Sequence, residues 1–221
     1  MENILHEQEK NGLENTVSIV GVTKTQPPQT IILGIKAGLT NIGENRVQEA
    51  SKKFNKIEFS EKTTKHLIGH LQSNKVKKAV SLFDRIDSVD SNKLAIKINN
   101  AASQIQKTIP VLIEINTSCE KEKQGFLVSE IDEVLQCMEN KNLIVEGLMT
   151  VGPNTKHKET TRKSFKSLRE LFLKINKQLP SGYPALKTLS MGMSRDYLIG
   201  VKEGSTMVRI GTAIFGARSI K

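Results

Sequence analysis

Residues 16–28 read TVSIVGVTKTQPP and predict a β-strand that is buried on both faces. The run up to Val22 is β-branched and apolar at successive positions, which is typical of a central strand in a parallel sheet. Pro27 and Pro28 cannot continue a hydrogen-bond ladder, so the strand is expected to end at Lys24. Desolvation there would lower the pKa of the amine and make it a nucleophile for a carbonyl. Taken alone, the segment favours a simpler interpretation, in which Lys24 marks the strand edge and reaches water.

Strand-like and helix-like patterns alternate along the rest of the chain. Further strands are predicted over 40–44, 65–71, 85–89, 110–116, 143–150, 187–189 and 205–210, each followed by a helical pattern. Eight strand–helix units without a change in composition favour a single α/β domain over residues 1–221, a closed (β/α)8 TIM barrel. An open doubly wound sheet is the alternative, but no Gly-x-Gly-x-x-Gly fingerprint follows the first strand.

Two of the predicted helix starts carry capping signals. Ser91 is expected to cap the helix after the fourth strand, and Ser129 with Asp132 resembles a capping box. A helix is predicted from Ser194 to Glu203, and a last one over 212–217. The N-terminal segment up to Asn15 is polar and mixed in charge, with no apolar core of a signal peptide.

The charge of the chain is strongly positive, with 33 Lys and Arg against 23 Asp and Glu. Most of the basic residues are scattered lysines, and aromatic residues make up only 4% of the chain. A nucleic-acid reader relies on arginine and on stacking aromatics, so a solvated surface is favoured over a specific nucleic-acid site. The two cysteines, Cys119 and Cys137, form no metal or disulfide pattern, and no apolar segment is long enough for a membrane. A cytoplasmic location is therefore expected.

Two loops near the end of the chain predict a phosphate site. LSMGMS (189–194) and RIGTA (209–213) each offer a glycine, a hydroxyl and backbone amides before a predicted helix. In a barrel these loops follow strands seven and eight, where phosphate is often held. The alternative is that Ser194 and Thr212 are ordinary helix caps, but two such loops side by side favour the phosphate.

Arg209 lies on a predicted buried strand, where an unpaired cation costs several kcal/mol. We expect it to pair with Glu114 or Glu146 from a neighbouring strand, or with a ligand atom. A nucleophilic lysine combined with a phosphate cradle has two chemical interpretations. One is a phosphosugar lyase of the Schiff-base type, and the other is a site for pyridoxal phosphate, which carries both an aldehyde and a phosphate.

The sequence resembles the pyridoxal phosphate homeostasis proteins. The motifs that carry the resemblance span nearly the whole chain, in order: VTKT (22–25), GENRVQE (43–49), HLIGHLQSNK (66–75), GLMTVGP (147–153), LSMGMS (189–194) and GSTMVRIGTAIFG (204–216). The resemblance implies a fold type III pyridoxal phosphate barrel, similar to the barrel domain of alanine racemase without its second domain.

The resemblance also implies the site residues. Lys24 would hold the cofactor as a Schiff base, Arg209 would face the pyridine nitrogen and Asn45 would lie near the ring. The residues implied around the phosphate are Ser190, Gly192, Ser194, Gly211 and Thr212. A positive arginine keeps the adjacent nitrogen unprotonated, and such a ring is a poor electron sink, so a carrier is favoured over an enzyme.

The implied function is the carriage and buffering of pyridoxal 5′-phosphate by a monomeric protein, which maintains vitamin B6 and amino and keto acid homeostasis. Apo forms of pyridoxal phosphate enzymes are the implied recipients, and no catalytic residue, metal or membrane is expected. A small pyridoxal phosphate-dependent amino-acid racemase is the alternative from the enzyme class. A basic RNA-associated protein is a third hypothesis.

Other features are interpreted as structural. His66 and His70 would lie ~13 Å apart on a strand, too far for one zinc ion, so we expect them to be structural or to line a loop. Cys119 is interpreted as a plain loop thiol, although the nearby Lys121 and Lys123 could depress its pKa.

The chain also departs from the family pattern. Lys65 replaces a usual aromatic residue, Asp87 replaces a common histidine, and the segment before Thr16 is shorter than usual.

Overall fold

A closed barrel of parallel strands forms the molecule. The computed structural model describes residues 1–118, 120 and 122–216. The strands are β1 (Ser18–Val22), β2 (Asn41–Glu44), β3 (Thr64–Leu67), β4 (Arg85–Val89), β5 (Ile109–Asn116), β6 (Phe126–Leu127), β7 (Leu143–Met149), β8 (Thr188–Met193) and β9 (Met207–Ile210). Eight of them close the ring, since β1 pairs with β9 and β4 pairs with β5, while the short β6 pairs with β5 alone. The predicted (β/α)8 TIM barrel is confirmed.

Helices follow the strands around the outside of the barrel. They are α1 (Glu2–Lys10), α2 (Pro28–Lys36), α3 (Val47–Phe54), α4 (Val76–Leu82), α5 (Asn92–Gln104), α6 (Ile131–Gln136), α7 (Lys158–Asn176), α8 (Tyr197–Lys202) and α9 (Thr212–Phe215). Short 3-10 turns precede α4 at Ser73–Lys75 and follow α6 at Cys137–Glu139. Within the described residues, no helix is both long and apolar enough to cross a membrane.

Among the described residues, two of the three apolar clusters form layers on either side of the sheet. The larger layer lies between the sheet and the helices, where α7 contributes Phe165 and Leu168 from one stripe of its surface. The smaller layer fills the inside of the barrel with Val20, Leu112 and Met149, together with Met207. Because aliphatic residues plug the barrel centre, polar side chains of the same strands are left at its two ends.

Several predicted boundaries were wrong for identifiable reasons. The strand predicted over 65–71 ends at Leu67, because Gly69 packs against the turn after β2 and a Cβ there would lie 2.5 Å from the Asn45 carbonyl oxygen. The strand predicted over 187–189 continues to Met193. Pairing with both β7 and β9 stabilises this longer strand.

Helix starts were predicted less well than strands. Ser91 does cap α5, accepting a hydrogen bond from the Leu94 amide at 3.3 Å. The predicted capping box of Ser129 and Asp132 does not form, because α6 begins after Glu130, whose carboxylate accepts from the Leu127 amide at 2.7 Å.

Two terminal features also differ from the prediction. The helix α1 was not predicted at all, and it packs against α8 through a separate cluster that includes Ile4 and Val201. The last helix was predicted to reach Ala217, which lies outside the described residues.

Candidate functional site

The residues singled out in the sequence lie at the carboxyl ends of neighbouring strands. Lys24 is half-buried and follows β1 by two residues. Successive side chains of a strand point to opposite faces, and Val20 lies inside the barrel, so Lys24 falls on the inner side. β9 is the neighbour of β1, and β8 is the neighbour of β9. The loops that follow these three strands therefore surround one end of the barrel.

The loops after β8 and β9 are joined by Ser194. Its hydroxyl oxygen accepts hydrogen bonds from the Gly211 amide at 3.1 Å and from the Ala213 amide at 3.5 Å. The helix predicted to begin at Ser194 starts at Tyr197, so Ser194 does not cap the helix that follows it. The Asp196 carboxylate causes the delay, since it accepts from the Met193 amide at 2.6 Å and holds a turn.

Glycines allow the backbone of these loops to approach closely. Gly192 has a φ of +100°, and an added Cβ would lie 2.8 Å from the Tyr197 Cα. Gly211 precedes α9, and an added Cβ there would lie 3.4 Å from the Val22 carbonyl oxygen. Thr212 is exposed as the first residue of α9. The backbone thus comes close to Tyr197 at Gly192 and to Val22 at Gly211, with no side chain at either glycine.

Arg209 is buried inside the barrel, with 3% of its surface exposed. Its Nη1 donates to the Ser190 hydroxyl at 2.6 Å and to the Ser190 carbonyl at 3.1 Å, and its Nη2 donates to the Thr150 carbonyl at 2.7 Å. Burial lowers the pKa of the guanidinium, but several carboxylates oppose this through their charge. The interactions fix the arginine head group from two neighbouring strands.

The carboxylate partner expected for Arg209 was wrong, whereas the alternative, a ligand atom, stays a prediction. Glu146 pairs instead with Arg85 at 2.7 Å, near the other end of the barrel. Within the described part of the chain, no carboxylate forms a salt bridge with Arg209. Oxygens of Ser190 and Thr150 lie within reach and replace the carboxylate.

Glu114 is a titratable group at this end of the barrel that the sequence did not mark as a site residue. Burial raises the pKa of its carboxyl to about 7, and the charge of Arg209 opposes that rise. The signal was present in the sequence, because Glu114 interrupts the apolar strand β5. The sequence pattern, however, indicated Glu114 only as an ion-pair partner of Arg209 and not as a residue of the site.

Asn45 follows β2 and lines a groove of about 710 Å³. The groove also contacts Gly69 and His70 from the loop after β3, and Arg46 from the start of α3. The side-chain oxygen of Asn45 is buried and has no hydrogen-bond partner among the described residues. It is therefore an acceptor that a bound donor can satisfy.

The two histidines have different environments. His66 is buried inside the barrel, where its Nδ1 contacts Asp87 at 2.7 Å and its Nε2 contacts Asn41 at 3.1 Å. His70 lies in the loop after β3, with its Nδ1 2.8 Å from Asp90. His66 is held by structural contacts within the barrel, whereas His70 lies beyond the end of β3, so the two histidines do not share the strand on which their spacing was reckoned.

Asp87, which departs from the family pattern, forms part of a charged cluster. It accepts from Arg85 Nε at 2.7 Å as well as contacting His66. Although burial alone raises the pKa of Asp87, the charges of His66 and Arg85 outweigh it and bring the pKa to about 2. Lys65, the other departure, has its Nζ 3.5 Å from Asp84.

Metal-ligating residues do not converge elsewhere in the described ranges. No group of three or more histidine, cysteine, aspartate or glutamate side chains forms a metal cluster there. Cys119 and Lys121 lie outside the described residues. Lys123, their neighbour, donates to Glu120 at 2.8 Å and to the Gly152 carbonyl at 3.0 Å.

Comparison with known proteins gives consistent results along the chain. The family model described as "Alanine racemase, N-terminal domain" matches residues 9–219. The pyridoxal phosphate homeostasis protein of Haemophilus influenzae is 38% identical, with 96% of this chain and 90% of that protein covered. Its namesake in Vibrio alginolyticus is 36% identical, with 97% and 93% covered.

Solved structures show the same relationship. The structure of PipY from Synechococcus elongatus PCC7942, described with PLP bound, is 32% identical with a TM-score of 0.84. The match covers 96% of this chain and 100% of PipY. An alanine racemase from Clostridium difficile 630 has a TM-score of 0.72 at 19% identity, and 55% of that chain is covered. The latter similarity concerns the fold of the barrel.

Proposed function

This chain belongs to the pyridoxal phosphate homeostasis protein family, and from that premise we propose that it binds pyridoxal 5′-phosphate through Lys24. The proposed role is to carry and buffer the cofactor and so to maintain vitamin B6 and amino and keto acid homeostasis. The relatives are named for homeostasis and not for a reaction, which supports a carrier over an enzyme. PipY, which this chain resembles along its whole length, is described with PLP bound.

The convergence of two donor-rich loops beside the β1 end is the observation that carries the proposal. Ser194 joins the loops, and Gly192 and Gly211 allow close backbone approaches there. A phosphate dianion needs several donors from a small region, and glycine-rich turns supply them through backbone amides. We assign the phosphate contacts to Ser190, Gly192, Ser194, Gly211 and Thr212.

Lys24 has the chemistry to hold the other end of the cofactor. When bound, pyridoxal 5′-phosphate supplies an aldehyde whose carbon accepts the electron pair of an unprotonated amine. Lys24 would supply the amine nitrogen that holds this carbon as a Schiff base, with the aldehyde oxygen leaving as water. The inner side of the strand places Lys24, which is half-buried, at the mouth of the barrel.

Arg209 is assigned to the pyridine nitrogen. Its hydrogen bonds to Ser190 and Thr150 prevent it from withdrawing when a ligand binds. A fixed positive charge disfavours a proton on the adjacent nitrogen, which keeps the ring a poor electron sink. Asn45 is assigned to a position near the ring, where its unpaired oxygen can accept a hydrogen bond.

The cellular setting of the proposal is a cytoplasmic monomer that delivers its cofactor to apo forms of pyridoxal phosphate enzymes. No specific nucleic acid is included among the partners. The excess of positive charge is carried mostly by lysines. If RNA were the true ligand, binding would fall steeply with salt and would survive Lys24→Ala.

The covalent link is tested by colour and by mass. Purified protein loaded with the cofactor should be yellow, and borohydride should remove the visible band. Digestion of the reduced protein should give a peptide with the cofactor mass on Lys24. Lys24→Ala should abolish both signals, whereas Lys36→Ala, which changes an exposed lysine of α2, should retain them. A label on another lysine, or none, would refute the proposal.

A separate assay distinguishes the carrier from a racemase. The loaded protein is incubated with single enantiomers of alanine and serine, and the loss of optical activity is followed. We expect no turnover above that of free cofactor. Robust turnover that disappears in Lys24→Ala would replace the carrier with a small amino-acid racemase.

A further inference from the structure

A buried charge network lies behind the backbone that presents Lys24. We propose that Lys53, acting with Glu44 and Glu49, is a positioning residue that fixes the backbone on both sides of Lys24. The inference rests on the proposed function, because it concerns how the cofactor-binding lysine is held. Lys53 belongs to α3 and lies 29 positions further along the chain, so nothing in the local sequence of Lys24 indicates the contact.

Lys53 holds the residue before Lys24. Its Nζ donates to the Thr23 carbonyl oxygen at 2.7 Å and to Glu44 Oε1 at 2.6 Å. The Thr23 hydroxyl donates to the same Glu44 oxygen at 2.6 Å. Thr23 and Glu44 are fully buried, and Lys53 is 8% exposed. Charge-assisted hydrogen bonds in such a dry environment are short and strong.

Glu49 holds the residue after Lys24. Its Oε1 accepts from the Thr25 amide at 2.6 Å and forms an ion pair with Lys53 Nζ at 2.7 Å. Thr25 has a φ of +66°, a left-handed conformation that is costly for a β-branched residue and persists only where surrounding contacts impose it. The Lys53 ammonium thus bonds directly to the Thr23 carbonyl and contacts the Thr25 amide through Glu49. The backbone on both sides of Lys24 is therefore held by the same charge network.

The network cannot reach a ligand inside the barrel. Gly43, the neighbour of Glu44 on β2, faces inwards, since an added Cβ would lie 2.8 Å from Val20 Cγ1 in the barrel interior. Strand alternation then points Glu44 outwards to α3, where Lys53 meets it. Lys53 and Glu44 therefore act through the backbone of Thr23 and not by touching the cofactor.

The charges of the network depend on one another. Burial raises the pKa of Glu44, although hydrogen bonds from Lys53 and Thr23 counteract part of the rise. Burial also opposes the charge of Glu49, but the contacts with Lys53 and the Thr25 amide lower its pKa overall. Glu44 Oε2 has no hydrogen-bond partner among the described residues. Loss of Lys53 would therefore leave Glu44 without its cation and release Thr23.

The deciding comparison uses two substitutions at one position. Glu49→Gln keeps an oxygen that can accept from the Thr25 amide, whereas Glu49→Ala removes it. Lys53→Met removes the ammonium, and Lys56→Met is the control, because Lys56 is exposed just beyond α3. Each variant is measured for apparent cofactor affinity, for the borohydride-trapped adduct on Lys24 per folded molecule, and for amide hydrogen exchange at Thr25 without cofactor.

We expect Lys53→Met and Glu49→Ala to bind cofactor about tenfold or more weakly, since small displacements of a reacting group have large effects. Exchange at Thr25 should rise by about tenfold or more in both, because the amide loses its fixed acceptor. Glu49→Gln should stay within about threefold of wild type in both measurements, because it retains a hydrogen bond. Lys56→Met should be unchanged.

The inference would be overturned if Lys53→Met and Glu49→Ala both formed as much Lys24 adduct as wild type, with unchanged cofactor affinity and unchanged amide exchange at Thr25. The proposed function would then still stand. Absence of the adduct in the wild type would overturn the proposed function instead. If Lys53→Met does not fold, the comparison of Glu49→Ala with Glu49→Gln decides the question. A purely structural role of Glu49 would change the stability of these variants but would give both the same yield of adduct per folded molecule.

Discussion

The Ser194 hydroxyl oxygen accepts a hydrogen bond from the Gly211 amide at 3.1 Å, and this bond joins the loops that follow β8 and β9. These are neighbouring strands of the barrel, and their pairing contains a register shift between Ser190 and Met193. The ladder resumes at the Met193–Arg209 pair, just before the two loops begin. Beyond that pair, the Ser194 hydroxyl joins the loops and, in the proposed site, contributes to the spacing of the phosphate donors.

Ser194→Ala should weaken cofactor retention by about tenfold, because one hydrogen bond of several is lost and the loops can separate. The covalent link to Lys24 should still form, since Ser194 is not part of the amine site. Equilibrium dialysis gives the retention, and borohydride trapping gives the link. Ser181→Ala, at an exposed position away from the barrel mouth, is the control. Loss of the link itself in Ser194→Ala would contradict the roles assigned to the two residues.

Gly192→Ala should destabilise the cofactor-free protein by about 2 kcal/mol or more, because the new Cβ combines a left-handed backbone with a close approach to Tyr197. Gly182 is a matched control, since it has a φ of +80° but no atom within 4 Å of an added Cβ. Gly182→Ala should therefore show only the backbone cost. Urea unfolding of both variants measures the difference, and equal losses would show that the approach to Tyr197 is unimportant.

The strand order and the loop pair could be predicted from sequence because both depend on local patterns. The buried run to Val22 and the glycines at 192 and 211 each express their role within a few residues. Side-chain partners could not be predicted in the same way. Arg209 was expected to meet a carboxylate, but the register of β8 places the Ser190 hydroxyl next to its guanidinium.

The starts of two helices were also mispredicted, because they depend on side-chain contacts that the sequence pattern does not indicate. Asp196 holds a turn before α8, and α6 begins after Glu130 without a side-chain cap. Both carboxylates accept from an amide that precedes the helix, and the sequence pattern did not indicate these contacts. The charge network of Lys53, Glu44 and Glu49 could not be predicted from the sequence either, because it joins α3 to the turn after β1. Contacts between elements depend on a three-dimensional arrangement that periodicity does not encode.

Glu114→Gln should stabilise the cofactor-free protein in a way that depends on pH. The pKa of Glu114 is raised from 4.5 to about 7 by burial. The folded state therefore binds this proton more tightly than the unfolded state does, and wild-type stability should fall as pH rises from 4.5 to 7. The full cost above pH 7 is about 3 kcal/mol, which the uncharged glutamine would avoid.

Urea unfolding at pH 5, 6, 7 and 8 measures this effect. The stability of Glu114→Gln relative to wild type should increase between pH 5 and pH 7 and level off above that. Glu58→Gln, which alters an exposed carboxylate, is the control and should show no such rise. A constant difference across the range would mean that Glu114 is already ionised in the folded protein at pH 5.

Asp87→Asn should change the acid sensitivity of the barrel in the opposite direction. The charges of His66 and Arg85 overcome burial and lower the Asp87 pKa from 3.8 to about 2. The carboxylate therefore contributes stability above pH 3.8, and this contribution is lost as pH falls from 3.8 to about 2. The corresponding free energy is about 2 kcal/mol.

Urea unfolding of wild type and Asp87→Asn measures this contribution. The free energy of unfolding of wild type should exceed that of Asp87→Asn by at least that amount at pH 5, and the difference should narrow steadily below pH 4. Asp132→Asn, at an exposed site on α6, should keep a constant offset from wild type. A gap between wild type and Asp87→Asn that stays the same down to pH 2 would show that the ion pairs with His66 and Arg85 do not hold Asp87 ionised, since a protonated aspartate and an asparagine would then behave alike.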